Sequence, residues 1–456
     1  MGVYRRARLA LVAFVSVVLV SSGRALAHGG GLANAQPERL TVPTWLFLTT
    51  GGGVIGASFL LTTFATDREF LKYLHSRRRA LPTHESVLRW GGRVLGLGGL
   101  LMILLAGYLG PPEALQNAAI LLVWAGWWAG YTMTVYLGGN SWPAINPFRT
   151  LATVLGEGRV EYPRWLAGWP SVVGLLALIW IEIVSPLADD PRLLAGFVSL
   201  YLVVTLVGAF LFGAETWFAN VDPISNVFRQ YGKVAPVQRR RSGLALTIPG
   251  SALIRNPAVD RADVGLIIAL VWGTTYDGFV QTPLWVDLAV PLVEAGIPPM
   301  LLYPAVLFAG FFVFWGVYRL ACRYVRTFAP TYRDTTRIAR LFAPSLLAIA
   351  AGYHLAHYLS YFLTLSPALL SAFTNVLQPS TPVSLVLPGW FAGLSIAFVL
   401  LGHILAIWVA HSIAYEHFPS KIQAIRSQYT ITLVMVFYTM LSLWIVTQPY
   451  STPPYL

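Results

Sequence analysis

The chain has 456 residues, of which 56% are hydrophobic and 11% are charged, and its formal net charge is +12. Soluble domains carry about a quarter charged residues, so this composition excludes an ordinary soluble domain. Nucleic acid is not an expected partner, because the basic residues lie in short loops between apolar runs and do not form a soluble basic face.

The first predicted element is an export signal over residues 1–27. Three arginines among the first eight residues precede the apolar run 9–20, which is too short to cross a bilayer. This basic region followed by a short apolar run is typical of a cleavable signal peptide. An uncleaved anchor is the alternative.

The cleavage site decides the fate of one histidine. Cleavage after the small-residue sequence 25–27 makes His28 the new N-terminus, whereas cleavage after 33–35 removes it. An N-terminal His28 could bind copper through its free amine and its imidazole, if a third donor is supplied.

Ten apolar stretches follow in a single predicted domain, 28–456. Each approaches the ~20 residues that are needed to cross the hydrocarbon core. A helix satisfies its backbone hydrogen bonds internally in lipid, so the predicted fold is an all-α polytopic transmembrane bundle. The stretches lie near 43–66, 91–110, 117–139, 166–187, 193–215, 263–281, 299–321, 341–366, 386–412 and 429–448.

Lysine and arginine are concentrated in alternate loops of this predicted bundle. Of the 31 basic residues, 25 lie in the five loops 67–93, 140–165, 216–262, 319–340 and 412–428. Apart from the three arginines among the first eight residues, the opposite side has only Arg24, Arg39 and Arg192. The positive-inside rule therefore predicts that the five loops are cytoplasmic and that both termini lie outside the cell.

Two runs of three arginines lie in these cytoplasmic loops. The runs are 77–79 and 239–241, and each is close to a predicted membrane surface. We expect each run to anchor its loop against anionic lipid.

Seven ionisable residues fall inside the predicted spans or at their ends, where such residues are costly and indicate function. They are Glu182, Glu215, Asp277, His354, His357, His403 and His411. Asp277 lies in a glycine-flanked polar stretch near the outer end of its span. It is predicted either to line a cavity from an unwound helix end or to be exposed at the interface. Glu215 lies at the cytoplasmic boundary, where solvation is easy.

The four histidines form the most distinctive group. His354 and His357 are three residues apart, so they share one face of a helix. A rise of ~1.5 Å per residue places His354 near the middle of the membrane. The same rise places His403 at a similar depth on the next span, with His411 about two turns closer to the cytoplasm. The sequence predicts a line of imidazoles.

Three interpretations of this line are open. Imidazoles from two helices are common ligands of copper, zinc and haem iron, and such a site would use His354, His357 and His403. A proton relay would combine the histidines with Asp277 or Glu182. In ordinary packing, each imidazole would donate to a carbonyl on a packed helix. Cys322 is the only cysteine, which excludes a thiolate cluster within the chain.

Several segments together resemble a family of bacterial and archaeal membrane proteins described as fenitrothion hydrolase-like. The similar segments are Asn146-Pro147-Phe148-Arg149-Thr150-Leu151, 228–236, Thr275-Tyr276-Asp277-Gly278-Phe279, Thr282-Pro283-Leu284-Trp285, Gly352-Tyr353-His354-Leu355-Ala356-His357-Tyr358, Gly402-His403 and Ala410-His411. The resemblance covers most of the mature chain. It implies a prokaryotic plasma-membrane protein and a hydrolase that acts on an organophosphate ester.

Two classes of function follow from these observations. The first is a membrane protein that binds a transition metal or haem and hydrolyses an ester, with a metal-bound water as nucleophile. The second is a proton-coupled transporter, or an assembly subunit of a larger membrane complex, that needs no metal. The lipid bilayer is the expected partner in both.

Overall fold

The computed structural model describes residues 44–65, 68–82, 85–240, 243–255, 258, 260–378, 383–449 and 451–455. The predicted signal peptide, both cleavage sites and His28 lie outside these residues. Within them the fold is helical apart from one small sheet, which confirms the all-α prediction.

The helices and strands are numbered in chain order. The helices are α1 Thr44–Ala65, α2 Arg68–Ser76, α3 Glu85–Leu109, α4 Ala118–Leu137, α5 Trp142–Ile145, α6 Pro147–Ala152, α7 Trp169–Val184, α8 Pro191–Phe212, α9 Ala214–Asn220, α10 Pro223–Tyr231, α11 Ser251–Arg255, α12 Arg261–Val280, α13 Pro283–Glu294, α14 Pro299–Phe328, α15 Thr335–Thr374, α16 Phe391–His417, α17 Lys421–Arg426 and α18 Tyr429–Thr447. The strands are β1 Arg79–Leu81, β2 Val237–Arg240 and β3 Gly243–Leu246.

Eight helical segments in the described part of the chain are long and apolar enough to cross a membrane. They comprise α3, α4, α8, α12, α14, α15, most of α16, and the segment Lys421–Thr447 that joins α17 to α18. Two further apolar helices are shorter, Gly51–Thr63 within α1 and Trp169–Val184. Each predicted apolar stretch therefore coincides with a helix, and the chain has the helices of a multi-pass membrane protein.

The helices α12 and α15 form the centre of the bundle. In each of them 89% of the apolar window is buried, against 28% in α3, α8 and α14. The helix α15 packs against α12, α16 and the middle of α4. Polar side chains on α12 and α15 are therefore surrounded by protein, while α3, α8 and α14 present apolar side chains outward.

The helices α15 and α16 touch through two glycines. A Cβ atom on Gly352 would lie 2.7 Å from the Cα atom of Gly402, and a Cβ atom on Gly402 would lie 2.7 Å from the carbonyl oxygen of Ala348. Only glycine permits this approach, which is the close packing that small residues allow between membrane helices.

The middle of α4 is a π-helix over Leu122–Tyr131. Such wide turns are rare and are frequent at functional sites. This segment contains Trp124, Trp127 and Trp128, for which aromatic packing would have been the ordinary expectation from the sequence. The π-helix turns these side chains towards the interior of the bundle, where they border a cavity.

A three-stranded sheet joins two loops that are far apart in the sequence. The strand order is β1-β3-β2 and both pairings are antiparallel. The strand β1 comes from the loop after the first helix pair, and β2 and β3 come from the longest predicted cytoplasmic loop. Each strand has three or four residues, which is too short for a recognisable alternating pattern in the sequence.

Candidate functional site

Asp277 is the centre of a buried polar group. Its carboxylate is on α12, which continues as regular helix to Val280, so the predicted unwound end is not observed. The residue is 7% exposed, which also contradicts exposure at the interface. The hydroxyl of Tyr358 donates to Oδ2 over 3.1 Å and Nε2 of Gln281 donates to Oδ1 over 3.2 Å. Nε2 of His357 lies 3.6 Å from Oδ2.

His354 lies one turn away from this group in a box of aromatic rings. Its ring is within 6.2 Å, centroid to centroid, of Trp128, Tyr136, Tyr231 and Tyr358. Nδ1 is 3.1 Å from the hydroxyl of Tyr136. Nε2 is buried and has no hydrogen-bond partner among the described residues. Of the two ring nitrogens of His354, only Nδ1 therefore has a hydrogen-bond partner among the described residues.

His403 and His411 are separate from this group. Nδ1 of His403 lies 2.7 Å from the carbonyl oxygen of Val399, one turn earlier in its own helix. Nδ1 of His411 lies 3.2 Å from Oε1 of Gln428. Each of these two histidines thus has a hydrogen-bond partner outside the group around Asp277.

The predicted metal ligands are distributed over two environments. His354 and His357 are both on α15 but contact different neighbours. His354 contacts Tyr136 of α4 and Tyr231 of α10, whereas His357 contacts Asp277. Within the described ranges, no three His, Cys, Asp or Glu side chains converge on a point where they could hold a metal ion. The arrangement does not fit the expected three-ligand site, and a metal or haem site at His354, His357 and His403 stays a prediction.

A cavity of about 380 Å³ lies beside Asp277, between α3, α4, α7, α8, α10 and α12. Its lining is mostly apolar and aromatic. Asp277 and Glu182 contribute the two carboxylates of the lining, and the described residues that line it include no lysine or arginine. Tyr358, which donates to Asp277, also lines the cavity. Asp277 therefore lines a cavity from a regular helix and not from an unwound helix end.

A second polar group lies at the other end of this cavity, at the predicted cytoplasmic boundary. Tyr201 lines the cavity, and its hydroxyl donates to Oδ2 of the buried Asp222. The backbone N–H of Ser225 donates to Oδ1 of Asp222 over 2.6 Å. Burial raises the pKa of Asp222, although its two hydrogen-bond donors and the charge of Arg149 act in the opposite direction.

Glu215 belongs to this cytoplasmic group and not to the group around Asp277. Both of its carboxylate oxygens lie 2.5 Å from Nη2 of Arg149. The glutamate side chain is 82% exposed, so we assign the pair little stability. The ion pair connects α6, which carries Arg149, with α9, which carries Glu215.

Several side chains of the site were not predicted, and Tyr136, Tyr201 and Tyr231 are the main ones. No spacing in the sequence separates a tyrosine that faces a histidine from one that faces lipid. The caps were detectable, because Asn146 and Asp222 each precede a proline at the first position of a helix. An asparagine or aspartate in that position is a frequent N-cap.

Comparison with known proteins gives no match, since no family model, curated sequence or solved structure matches this chain. The resemblance to fenitrothion hydrolase-like proteins therefore stays a prediction. The site is the only basis for the functional argument that follows.

Proposed function

We propose that the chain is a ten-span protein of a prokaryotic plasma membrane with both termini outside. The ten apolar stretches all coincide with helices, eight of which meet the length and composition of a span. The asymmetry of lysine and arginine between alternate loops supports the orientation. In this orientation the Asp277 end of the cavity faces outward and the Tyr201 end faces the cytoplasm.

We further propose that the protein is a carrier that binds a lipophilic cation in the cavity beside Asp277. The observation that carries this proposal is the composition of the lining, which combines an apolar and aromatic surface with two carboxylates. An apolar surface selects a lipophilic molecule. Asp277 and Glu182 select a positive charge over a negative one.

The aromatic rings of the lining support the same ligand class. Trp127, Trp128 and Tyr131 border the cavity, and ring faces attract cations. The attraction is stronger where water is excluded, as it is in a buried site. Binding sites between helices near the middle of the bilayer are typical of carriers.

Tetraphenylphosphonium and tetraphenylborate test the proposal, because they have the same shape and opposite charge. We expect the purified full chain to bind the phosphonium and to bind the borate at least tenfold more weakly. The measurement is equilibrium binding in lipid nanodiscs, followed by phosphonium uptake in proteoliposomes. Equal affinity for the two ions would contradict the proposal.

Asp277→Asn should weaken phosphonium binding about tenfold, which corresponds to about 1.4 kcal/mol. Glu182→Gln should have the same sign and provides a second test if the first variant does not fold. Asp287→Asn is the matched control, because Asp287 is an exposed carboxylate on α13 and does not line the cavity. An unchanged affinity in both cavity variants would exclude the carboxylates from the site.

A hydrolase of the kind implied by the family resemblance is a second proposal. The pair formed by Asp277 and His357 supports it, because a carboxylate that orients an imidazole is a common general-base arrangement. Bound metal, haem absorbance and fenitrothion turnover can be measured on the same preparation. Turnover that is lost in His357→Gln would favour this proposal, and its absence would leave the carrier.

A further inference from the structure

The two arginine runs of the sequence meet on one small sheet. Arg79 belongs to β1, and Arg239 belongs to β2, which are the two edge strands on either side of β3. The runs are separated by about 160 positions in the sequence and would otherwise have no reason to share a surface. Their meeting point is on the predicted cytoplasmic side.

The register of the sheet defines what each face presents. Residues directly opposite each other share a face, and alternate residues along a strand share it too. One face, which we call the arginine-flanked sheet face, therefore carries Arg79, Leu81, Val237, Arg239, Leu244 and Leu246. Both arginines are exposed, and Leu246 is 42% exposed. The opposite face carries Ala245, which is buried.

Other cations surround this sheet. Arg78 and Arg240 lie close enough to Arg255 for their charges to act on it, and burial together with these two charges lowers the pKa of Arg255. Glu416 acts in the opposite direction, and its single negative charge does not balance the three arginines. The cytoplasmic side of the sheet is therefore a region of positive excess.

The neighbouring helix α2 has features of a helix at a membrane surface. It follows α1 after a short connection and exposes Phe70 and Tyr73, which are 45% and 55% exposed. The guanidinium of Arg77 lies over the ring of Tyr73, 4.7 Å from its centroid. Aromatic side chains beside arginines are characteristic of the interface between lipid and water.

We propose that the arginine-flanked sheet face binds the headgroups of anionic phospholipids in the cytoplasmic leaflet. Guanidinium groups bind phosphate oxygens with two parallel hydrogen bonds, and Arg79 and Arg239 are placed to do so from the two edges. The leucines between them contact the glycerol and upper acyl region. A soluble phosphate would leave these leucines uncovered, which is why we assign the phosphate to a lipid.

Lipid titration of the full chain in neutral detergent tests this assignment. We expect dioctanoyl-phosphatidylglycerol to raise the melting temperature at lower concentration than dioctanoyl-phosphatidylcholine does. The double variant Arg79→Gln with Arg239→Gln should weaken the apparent affinity for phosphatidylglycerol roughly 25-fold, at roughly fivefold for each arginine. Preference for phosphatidylglycerol should disappear in this variant.

The matched control is Arg323→Gln with Arg326→Gln, which removes two exposed arginines from the cytoplasmic end of α14. This control changes the net charge equally and should retain the wild-type affinity. An equal loss of affinity for phosphatidylglycerol in both double variants would show that only the net charge matters, and it would overturn the proposal. Stabilisation by inorganic phosphate or by an RNA oligonucleotide at concentrations as low as those of phosphatidylglycerol would also overturn it. Neither Arg79 nor Arg239 lines the cavity, so this result and the phosphonium measurement can fail separately.

Discussion

The buried side chains of Asp222 and His354 are satisfied to different degrees. Asp222 uses both carboxylate oxygens, and the nearby Asn146 uses both its oxygen and its nitrogen, in contacts with backbone and side chains. His354 and His403 each leave Nε2 without a hydrogen bond among the described residues. An unpaired buried polar atom is costly to the free energy of folding.

The difference assigns separate roles to the two ends of the cavity. At the Tyr201 end, caps and side-chain bonds tie α6, α8 and α10 together. At the Asp277 end, Nε2 of His354 is buried inside the aromatic box and has no hydrogen-bond partner among the described residues. Mutations should therefore affect stability at the first end and binding at the second.

Asp222→Ala should have the largest effect on stability. The variant loses the N-cap of α10, at about 1 kcal/mol, and leaves the buried hydroxyl of Tyr201 unpaired, at about 2 kcal/mol. The total loss in the free energy of unfolding is about 3 kcal/mol. Unfolding in mixed micelles, followed by circular dichroism, measures it.

Asp190→Ala is the control for this variant. Asp190 caps α8 through the backbone N–H groups of Arg192 and Leu193, and it is exposed. Its removal should cost about 1 kcal/mol, because no buried partner is left unpaired. Equal stability of the two variants would show that the bond between Asp222 and Tyr201 does not contribute to the free energy of unfolding. The stabilising role assigned to the Tyr201 end would then be wrong.

His354→Phe should have a much smaller effect on stability. The phenyl ring retains the contacts with Trp128 and Tyr358 and removes the unpaired Nε2, which offsets the lost bond to Tyr136. We expect a change of less than about 1 kcal/mol in the free energy of unfolding. A loss as large as that of Asp222→Ala would show that His354 is a structural residue and would remove the contrast between the two ends.

The sequence was sufficient for the helices, because stretches of ~20 apolar residues are required wherever a helix crosses lipid. It also located Asp277 and His357, since ionisable residues are rare inside spans. The pairing of these two residues depends on the rotation of α12 against α15, which packing determines and no spacing encodes. The separation of His403 likewise depends on the approach of Gly352 to Gly402.

The sheet and the cavity could not be predicted for a different reason. The sheet is formed by short segments from distant loops, so its stability comes from tertiary contacts and not from local pattern. The cavity is bordered in part by the π-helix, whose residues Leu122–Tyr131 read as an ordinary apolar span. The sequence does not distinguish an aromatic residue that borders a cavity from one that packs in a core.

The smallest predicted effect concerns Lys233, which follows α10. The nearby carboxylate of Asp263 already accepts hydrogen bonds from Arg229 over 3.1 Å and from Gln230 over 3.0 Å. Burial lowers the pKa of Lys233 to about 8, although Asp263 raises it, and the charge of Arg229 lowers it further. Below pH 8 the folded protein therefore holds a poorly solvated ammonium group.

Lys233→Met should consequently raise the melting temperature at pH 7, by an amount that decreases as the pH rises. The pKa of a lysine in the unfolded chain is about 10.4. Between pH 8 and pH 10 the unfolded chain binds a proton that the folded chain has lost, so the wild type gains stability with pH and the variant does not. Melting curves of both proteins at pH 7, 8, 9 and 10 measure the difference. Lys421→Met, at an exposed lysine on α17, should show no such trend. A difference in melting temperature between Lys233→Met and wild type that stays constant across this range would contradict the prediction. It would show that the ammonium group of Lys233 is solvated in the folded protein.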